Sequence, residues 1–336
     1  MEIRVILRGA LSGVVAGILG FAFAWIFAEP VISKAIAYES GRDDILAALN
    51  KAAGRAVAPD GPEIFSRTVQ STIGIASGII AFSAAMGALV AVAYLVLHGR
   101  FTVRPRALVW MIAGFGFLGV YLLPFVKYPA NPPAIGHTFT ITARGQLYLC
   151  MVACSLIMLG LAVYLAVKLT PRFGAVTATV LAAVAFLVVY GVVLGVLPSL
   201  GNLHANVAYS GQFGYARAAT ETPQPIVNIL SRPLLAGGKT IAPGQIVYPG
   251  FDPDVLWKFR WYSILNQLLI WLTIAVVFGG LLERFIPGPA PARARVPAEG
   301  GASGGSASGG SASEGRASGE VDSASEPAVP TVSGRP

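Results

Sequence analysis

Residues 174–197 read GAVTATVLAAVAFLVVYGVVLGVL, twenty-four positions without a charged side chain, an amide or a histidine. Coiled as an α-helix, that run is about 36 Å long, enough to cross a hydrocarbon layer of about 30 Å. It is apolar on every side, so it has no polar face to turn to water. In lipid its backbone groups must bond within the segment, which makes it a helix. Five more runs of the same kind lie near 5–28, 72–97, 107–126, 146–167 and 262–282. None carries Lys, Arg, Asp or Glu near its centre; Arg8 sits one turn into the first and can snorkel. Ala22-Phe23-Ala24 looks like a signal-peptide cleavage site, but the run before it exceeds an h-region of about 7–15 residues, so the span is read as retained. The expected fold class is an all-α integral membrane protein, a bundle of about six transmembrane helices.

Composition agrees. Of 336 residues, 55% are hydrophobic and only 12% charged, with a mean hydropathy of +0.68. Soluble domains carry about 25% charged residues. The net charge of +8 does not point to nucleic acid, because the basic residues flank apolar runs and form no stripe with interleaved aromatics. Cys150 and Cys154 are too few and too close for a disulfide framework. The chain divides into a polytopic domain over 1–286 and a Gly/Ser/Ala/Pro-rich segment over 287–336. The latter buries too little apolar surface to offset chain entropy and is expected to be a disordered cytoplasmic tail.

Orientation follows from the short segments between spans. Arg4 and Arg8, then Arg100, Arg104 and Arg106, then Lys168 and Arg172 about a Thr170-Pro171 turn, then Arg284, all fall on one side of a six-span chain. Both termini are therefore expected to be cytoplasmic. The connections at about 29–71, 127–145 and 198–261 then face outward, and acids slightly outnumber bases in the first.

Gly9, Gly13 and Gly17 recur every four residues in the first span, Gly74 and Gly78 in the second, Gly191 and Gly195 in the fifth. Such stripes let two backbones approach closely in lipid. Trp25, Tyr128, Tyr148, Trp257, Trp261 and Tyr262 fall near expected outer ends, where amphipathic rings favour the interface. There is no G-x-x-x-x-G-K-[ST] phosphate loop, no H-E-x-x-H pair and no C-x-x-C. The lack of a catalytic constellation points to a transporter or a membrane assembly partner rather than an enzyme.

The informative polar residues gather on the outward side. Glu29-Pro30 closes the first span and Ser66-Arg67 with Gln70 opens the second. From Pro124 to Pro133 there are four prolines in ten residues, which fix φ and remove backbone donors; this reads as a stiff, non-helical loop carrying Lys127, Tyr128 and Asn131. Asp252 and Asp254 either bind a divalent cation or cap the helix that follows. Cys150, Cys154 and Met158 share one helical face, as soft-metal ligands or as packing.

These residues resemble the CbtA family, predicted cobalt transporter subunits. The specific part is residues 121–136, YLLPFVKYPANPPAIG, which is similar to that family's signature loop almost throughout. Glu29-Pro30, Tyr38-Glu39, residues 66–72, Thr140-Ile141 with Arg144 and Tyr148, residues 251–260, and Val277 to Arg284 add to it, in order over roughly 1–285. Two features depart: His137 follows Gly136 where the family tends to place Asp, and the insertion at about 203–250, with His204, is long. The resemblance implies a subunit in the bacterial cytoplasmic (inner) membrane with no permanently bound cofactor. Cobalt would be its transported substrate, and its partner a small single-span, His-rich subunit like CbtB. The substrate-path candidates are Glu29, Glu39, Gln70, Lys127, Tyr128, Asn131, Asp252 and Asp254. The candidate metal ligands are His137, His204, Cys150 and Cys154. Lys127, Arg144, Lys258 and Arg260 share that face and would repel a bare divalent cation.

Overall fold

A computed structural model of the chain describes residues 2–55, 66–101, 103–208, 222–236 and 238–285. The tail at 287–336, with Asp60 and Glu63, lies outside the described residues. Among those described, six helical segments are long and apolar enough to cross a membrane: Glu2–Ala52, Arg67–Leu97, Pro105–Lys127, Thr138–Phe173, Ala175–Ala208 and Pro253–Arg284. Each contains one of the expected runs, apart from Gly174. The protein is a multi-pass helical membrane protein.

Three of the six carry a π turn near the same end. The first is α1 (Glu2–Phe23), a π turn at Ala24–Ala28, and α2 (Glu29–Ala52). The second is α3 (Arg67–Val69), a π turn at Gln70–Gly74, and α4 (Ile75–Leu97). The third is α5 (Pro105–Gly116), a π turn at Phe117–Leu122, and α6 (Leu123–Lys127). In each the next residue's N–H reaches back five residues: Glu29 to Ala24, Ile75 to Gln70, Leu123 to Leu118. The wider turn makes room for Pro30 and Pro124, whose rings would otherwise crowd the preceding helical turn. Two expectations are thereby corrected. Glu29-Pro30 does not close the first helix, which runs on for 51 residues in all, and Pro124–Lys127 is helical rather than loop.

The remaining helices are α7 (Ile141–Phe173), α8 (Ala175–Val196), the short α9 (His204–Ala208) and α10 (Pro253–Phe285). Pro171 lies inside α7, so the expected turn at Thr170-Pro171 moves to Gly174. Its φ of +79° is open to glycine, its N–H closes α7 on Thr170 O, and its O receives the Ala178 N–H of α8.

Side chains on α1, α4, α5 and α10 share one core, including Val5, Ala16, Tyr94, Val109, Ile274 and Phe278. The α1–α4 seam is backbone against backbone. A Cβ added to Gly13 would lie 2.7 Å from Ala84 Cα, one on Gly17 2.7 Å from Ile80 Cα, and one on Gly87 2.9 Å from Gly13 Cα. The stripe of α1 thus meets Gly87 and Ser83. Gly74 and Gly78, which repeat the spacing in the second span, make no such contact, and Gly191 and Gly195 face open space.

The hairpin of α7 and α8 has its own core of Tyr128, Met151, Met158, Tyr190 and Leu200. Its outer faces are bare: Val176 is 80% exposed and Leu187 62%. The far half of α2 packs beneath four short strands not expected from the sequence. Leu49, Ile226 and Leu234 share a core there. β1 (Ile226–Val227) pairs antiparallel with β4 (Ile246–Tyr248), and β2 (Leu234–Ala236) with β3 (Lys239–Ile241). Buried Arg42 holds the cap to α2 by donating to Gln224 O at 2.8 Å.

Candidate functional site

The loop at 128–137 joins the third and fourth spans and is tied down along its length. Ahead of it, Lys127 Nζ donates to Leu194 O at 2.6 Å, occupying a carbonyl in the last turn of α8 where the helix leaves its acceptors unmet. Tyr128 Oη donates to Pro198 O at 2.9 Å. From α10, Arg260 donates to Ala130 O at 3.3 Å and to Asn131 Oδ1 at 3.0 Å. Asn206 on α9 donates its amide to Leu200 O at 2.8 Å, which leaves Oδ1 to accept from His137 Nδ1 at 2.7 Å. The network therefore assigns the His137 proton to Nδ1. Burial lowers the His137 pKa below its usual value, the Asn206 bond opposes this, and Arg42 and Arg144 reinforce it.

Two tyrosines brace the end of the third span from the hairpin. Pro124 has no N–H to offer Val120 O, four residues back, and Tyr148 Oη donates there at 3.3 Å. Tyr190 Oη donates to Leu123 O at 2.8 Å. Tyr128 and Tyr148 thus turn inward; Trp25, Trp257 and Trp261 remain exposed, as expected of interfacial anchors.

Between the third span, the loop and the start of α7 lies a half-open cavity of about 420 Å³. Tyr121, Phe125, Tyr128, Asn131, Arg144 and Tyr148 supply most of its wall. The Tyr121 hydroxyl is buried there and has no hydrogen-bond partner. Arg144 is held by its donation to His137 O at 3.2 Å and by Gly136, whose φ is +123°. A side chain at 136 would put its Cβ 2.6 Å from the guanidinium. A smaller pocket of about 290 Å³ shares Phe125 and Pro129 as a common wall and adds Trp257, Arg260 and Trp261.

The structure gathers Lys127, Tyr128, Asn131 and His137 at this loop, but none of the acidic candidates lines the cavity. Glu29 is mostly buried, accepts from Arg67 and from Ser33 at 3.1 Å, and has its second oxygen buried without a partner. Glu39 stands on the extended α2, its pKa raised by burial and then by Asp43. Asp252 Oδ1 accepts the Asp254 N–H at 2.8 Å and caps α10. Gln70, Asp254 and His204 are exposed. Cys150 is exposed and Cys154 half-buried beside the hairpin core. Among the described residues no three His, Cys, Asp or Glu converge as a metal cage. Tyr121, Tyr190, Asn206 and Arg42 were not singled out from the sequence. For Tyr190 and Asn206 the only signal was a polar side chain in or beside an apolar run that needs a partner it cannot find locally; Tyr121 opens the 121–136 motif, and Arg42 carried no signal of its own.

The sequence profile described as "Probable cobalt transporter subunit (CbtA)" matches residues 2–283. The chain belongs to the CbtA family. No curated protein and no solved structure is detectably similar to it. The family match spans all six membrane segments and the cap, so the CbtA assignment covers the cavity, the loop and the hairpin together.

Proposed function

We propose that this chain is the membrane subunit of a cobalt uptake transporter in the bacterial cytoplasmic membrane, with both termini cytoplasmic. The carrying observation is the CbtA match along the whole six-span domain. The cavity beside the 128–137 loop supports an entry point at that end, which the basic-residue bias makes the outward one. The α1–α4 seam is too close for passage, so the path runs where the third span meets the α7–α8 hairpin. Donors there are phenol, amide and carbonyl groups, weak enough for a cargo to leave again. The stronger capture ligands would sit on a small single-span, His-rich partner like CbtB. Glu29, Glu39, Gln70, Asp252, Asp254, His204 and the cysteines stand as secondary contacts outside the cavity's lining.

A second reading, a scaffold without transport activity, is favoured by one observation. Lys127, Tyr128 and Asp252 already have structural partners. Radioactive cobalt uptake into cells expressing the chain, with and without the small partner and against nickel and zinc, separates the two. Saturable uptake that requires the chain supports the transporter. Its absence, with membrane insertion verified, supports the scaffold.

A further inference from the structure

We propose that the smaller pocket, between the end of the third span and the start of α10, holds the headgroup of an anionic phospholipid with its phosphate on Arg260. One wall is the last turns of the third span, with Leu122 and Val126 four residues apart. The other is a single face of α10, on which Trp257, Arg260, Trp261 and Ile264 follow at i, i+3, i+4 and i+7. Val126, Trp257 and Trp261 are 59%, 61% and 45% exposed, so the pocket opens on the outside of the helices. Trp257 and Trp261 meet edge to face with ring centroids 5.5 Å apart. Exposed indoles at the end of a span mark the level of lipid headgroups. Below them Leu265, Leu268 and Leu272 continue as an exposed apolar stripe at helical spacing, a track for the acyl chain. The pocket's volume of about 290 Å³ is near the lower end of the roughly 300–1,000 Å³ of small-ligand sites, which suits a headgroup whose chains lie outside it.

Arg260 supplies what an ordinary lipid-facing surface lacks. Its Nε donates to Ala130 O and its Nη2 to Asn131 Oδ1. A guanidinium has five N–H donors, so about three remain. Two of them are on Nη1, which bonds no group among the described residues and is not buried. Nor does Arg260 form an ion pair among the described residues. The loop thus fixes one edge of a half-buried guanidinium and leaves the other edge to an acceptor. That planar edge matches two oxygens of a phosphate. Lys258 is exposed, three residues before Trp261, and its long stem lets the ammonium reach the headgroup layer. Two cations favour a headgroup with net negative charge over one whose phosphate is cancelled by its own choline. The N–H groups of Trp257 and Trp261 bond nothing among the described residues and suit the ester oxygens of the same lipid. Because the same guanidinium holds Ala130 and Asn131, the bound phosphate steadies the loop that borders the larger cavity.

The test places the purified full chain in phosphatidylcholine vesicles and reads its tryptophan fluorescence. The quenchers are phosphatidylglycerol or phosphatidylcholine brominated on the acyl chains, added in increasing fraction. Trp25 and Trp110, also exposed, contribute a background common to both lipids. Phosphatidylglycerol is expected to occupy the pocket about fivefold more tightly, or better, since one cation beside an anionic headgroup is worth about that factor. The preference should survive roughly 1 M salt, where charges more than about 3 Å apart are screened. Arg260→Gln should cut it to about twofold or less, and Arg260→Lys should keep part of it. Arg104→Gln makes the same charge change at the opposite end of the third span and should leave it intact. Thermal unfolding checks that each variant folds, and the wild-type ranking of the two lipids stands without any variant. Equal quenching by the two lipids, a preference lost in high salt, or indifference to Arg260→Gln would each overturn the inference. Displacement of the bound lipid by inorganic phosphate would also overturn it, in favour of a free-phosphate site. No transport is read, so the outcome is independent of whether the chain carries cobalt.

Discussion

Replacing Gly13 by alanine tests the seam that fixes the α1–α4 pair. The new Cβ would stand 2.7 Å from Ala84 Cα and against the Ser83 carbonyl, both backbone atoms that no rotamer change can move. Carbon pairs pack at about 3.5–4.0 Å, so the helices must separate by about 1 Å. Overpacking of this kind costs about 1–3 kcal/mol, and an unyielding backbone puts the cost near the upper end. A gap of about 0.5–1 Å also forfeits a quarter to a half of each dispersion contact along the seam. Against this, alanine gains up to about 1 kcal/mol in helix propensity. The net expectation is a loss of about 2–3 kcal/mol. Unfolding of the purified protein in mixed micelles by added SDS, followed by circular dichroism, would read it. Gly191→Ala is the control: it has the same propensity gain and nothing within 4 Å, so it should be neutral or slightly stabilising. If Gly13→Ala unfolds at the same point as Gly191→Ala, the close seam is wrong.

Tyr148→Phe removes the donor to Val120 O and should cost about 1–3 kcal/mol. In a Pro124→Ala background the restored N–H competes for that carbonyl, so the same change should cost less; an equal cost in a double-mutant cycle would refute the brace. Arg67→Met leaves Glu29, only 15% exposed, without its cation, and should destabilise by about 2 kcal/mol after discounting for the partly exposed arginine. Adding Glu29→Gln should recover part of that, and no recovery would mean the pair is not coupled. Because the folded His137 has a pKa below the ordinary 6.5, the unfolded chain binds its proton first as pH falls. Its contribution is then present above about 6.5 and is lost on acidification from there toward the folded pKa. His137→Gln should flatten the fall in unfolding midpoint between pH 7 and 5, and a parallel fall in both proteins would contradict the buried neutral ring.

The sequence by itself determined the six spans, because an uncharged run of twenty residues or more has no stable place outside lipid and no stable form within it but a helix. It also marked the 121–136 motif, whose prolines act through local geometry although its first seven residues are helical, and it placed Cys150, Cys154 and Met158 on one helical face. Local periodicity could not show where the first helix ended, since Pro30 reads as a stop until a π turn makes room for its ring. Nor could it choose among three glycine stripes of identical spacing. Only Gly9, Gly13 and Gly17 meet another backbone, because α4 happens to cross there with Gly87, while Gly191 and Gly195 face open space. The site divided along the same line. Asn131, Tyr128 and Lys127 were legible because they sit inside a dense motif. Tyr121, Tyr190, Asn206 and the setting of Arg144 were decided by the tertiary structure, since each depends on a partner from a distant segment or on a cavity that exists only after the helices have met.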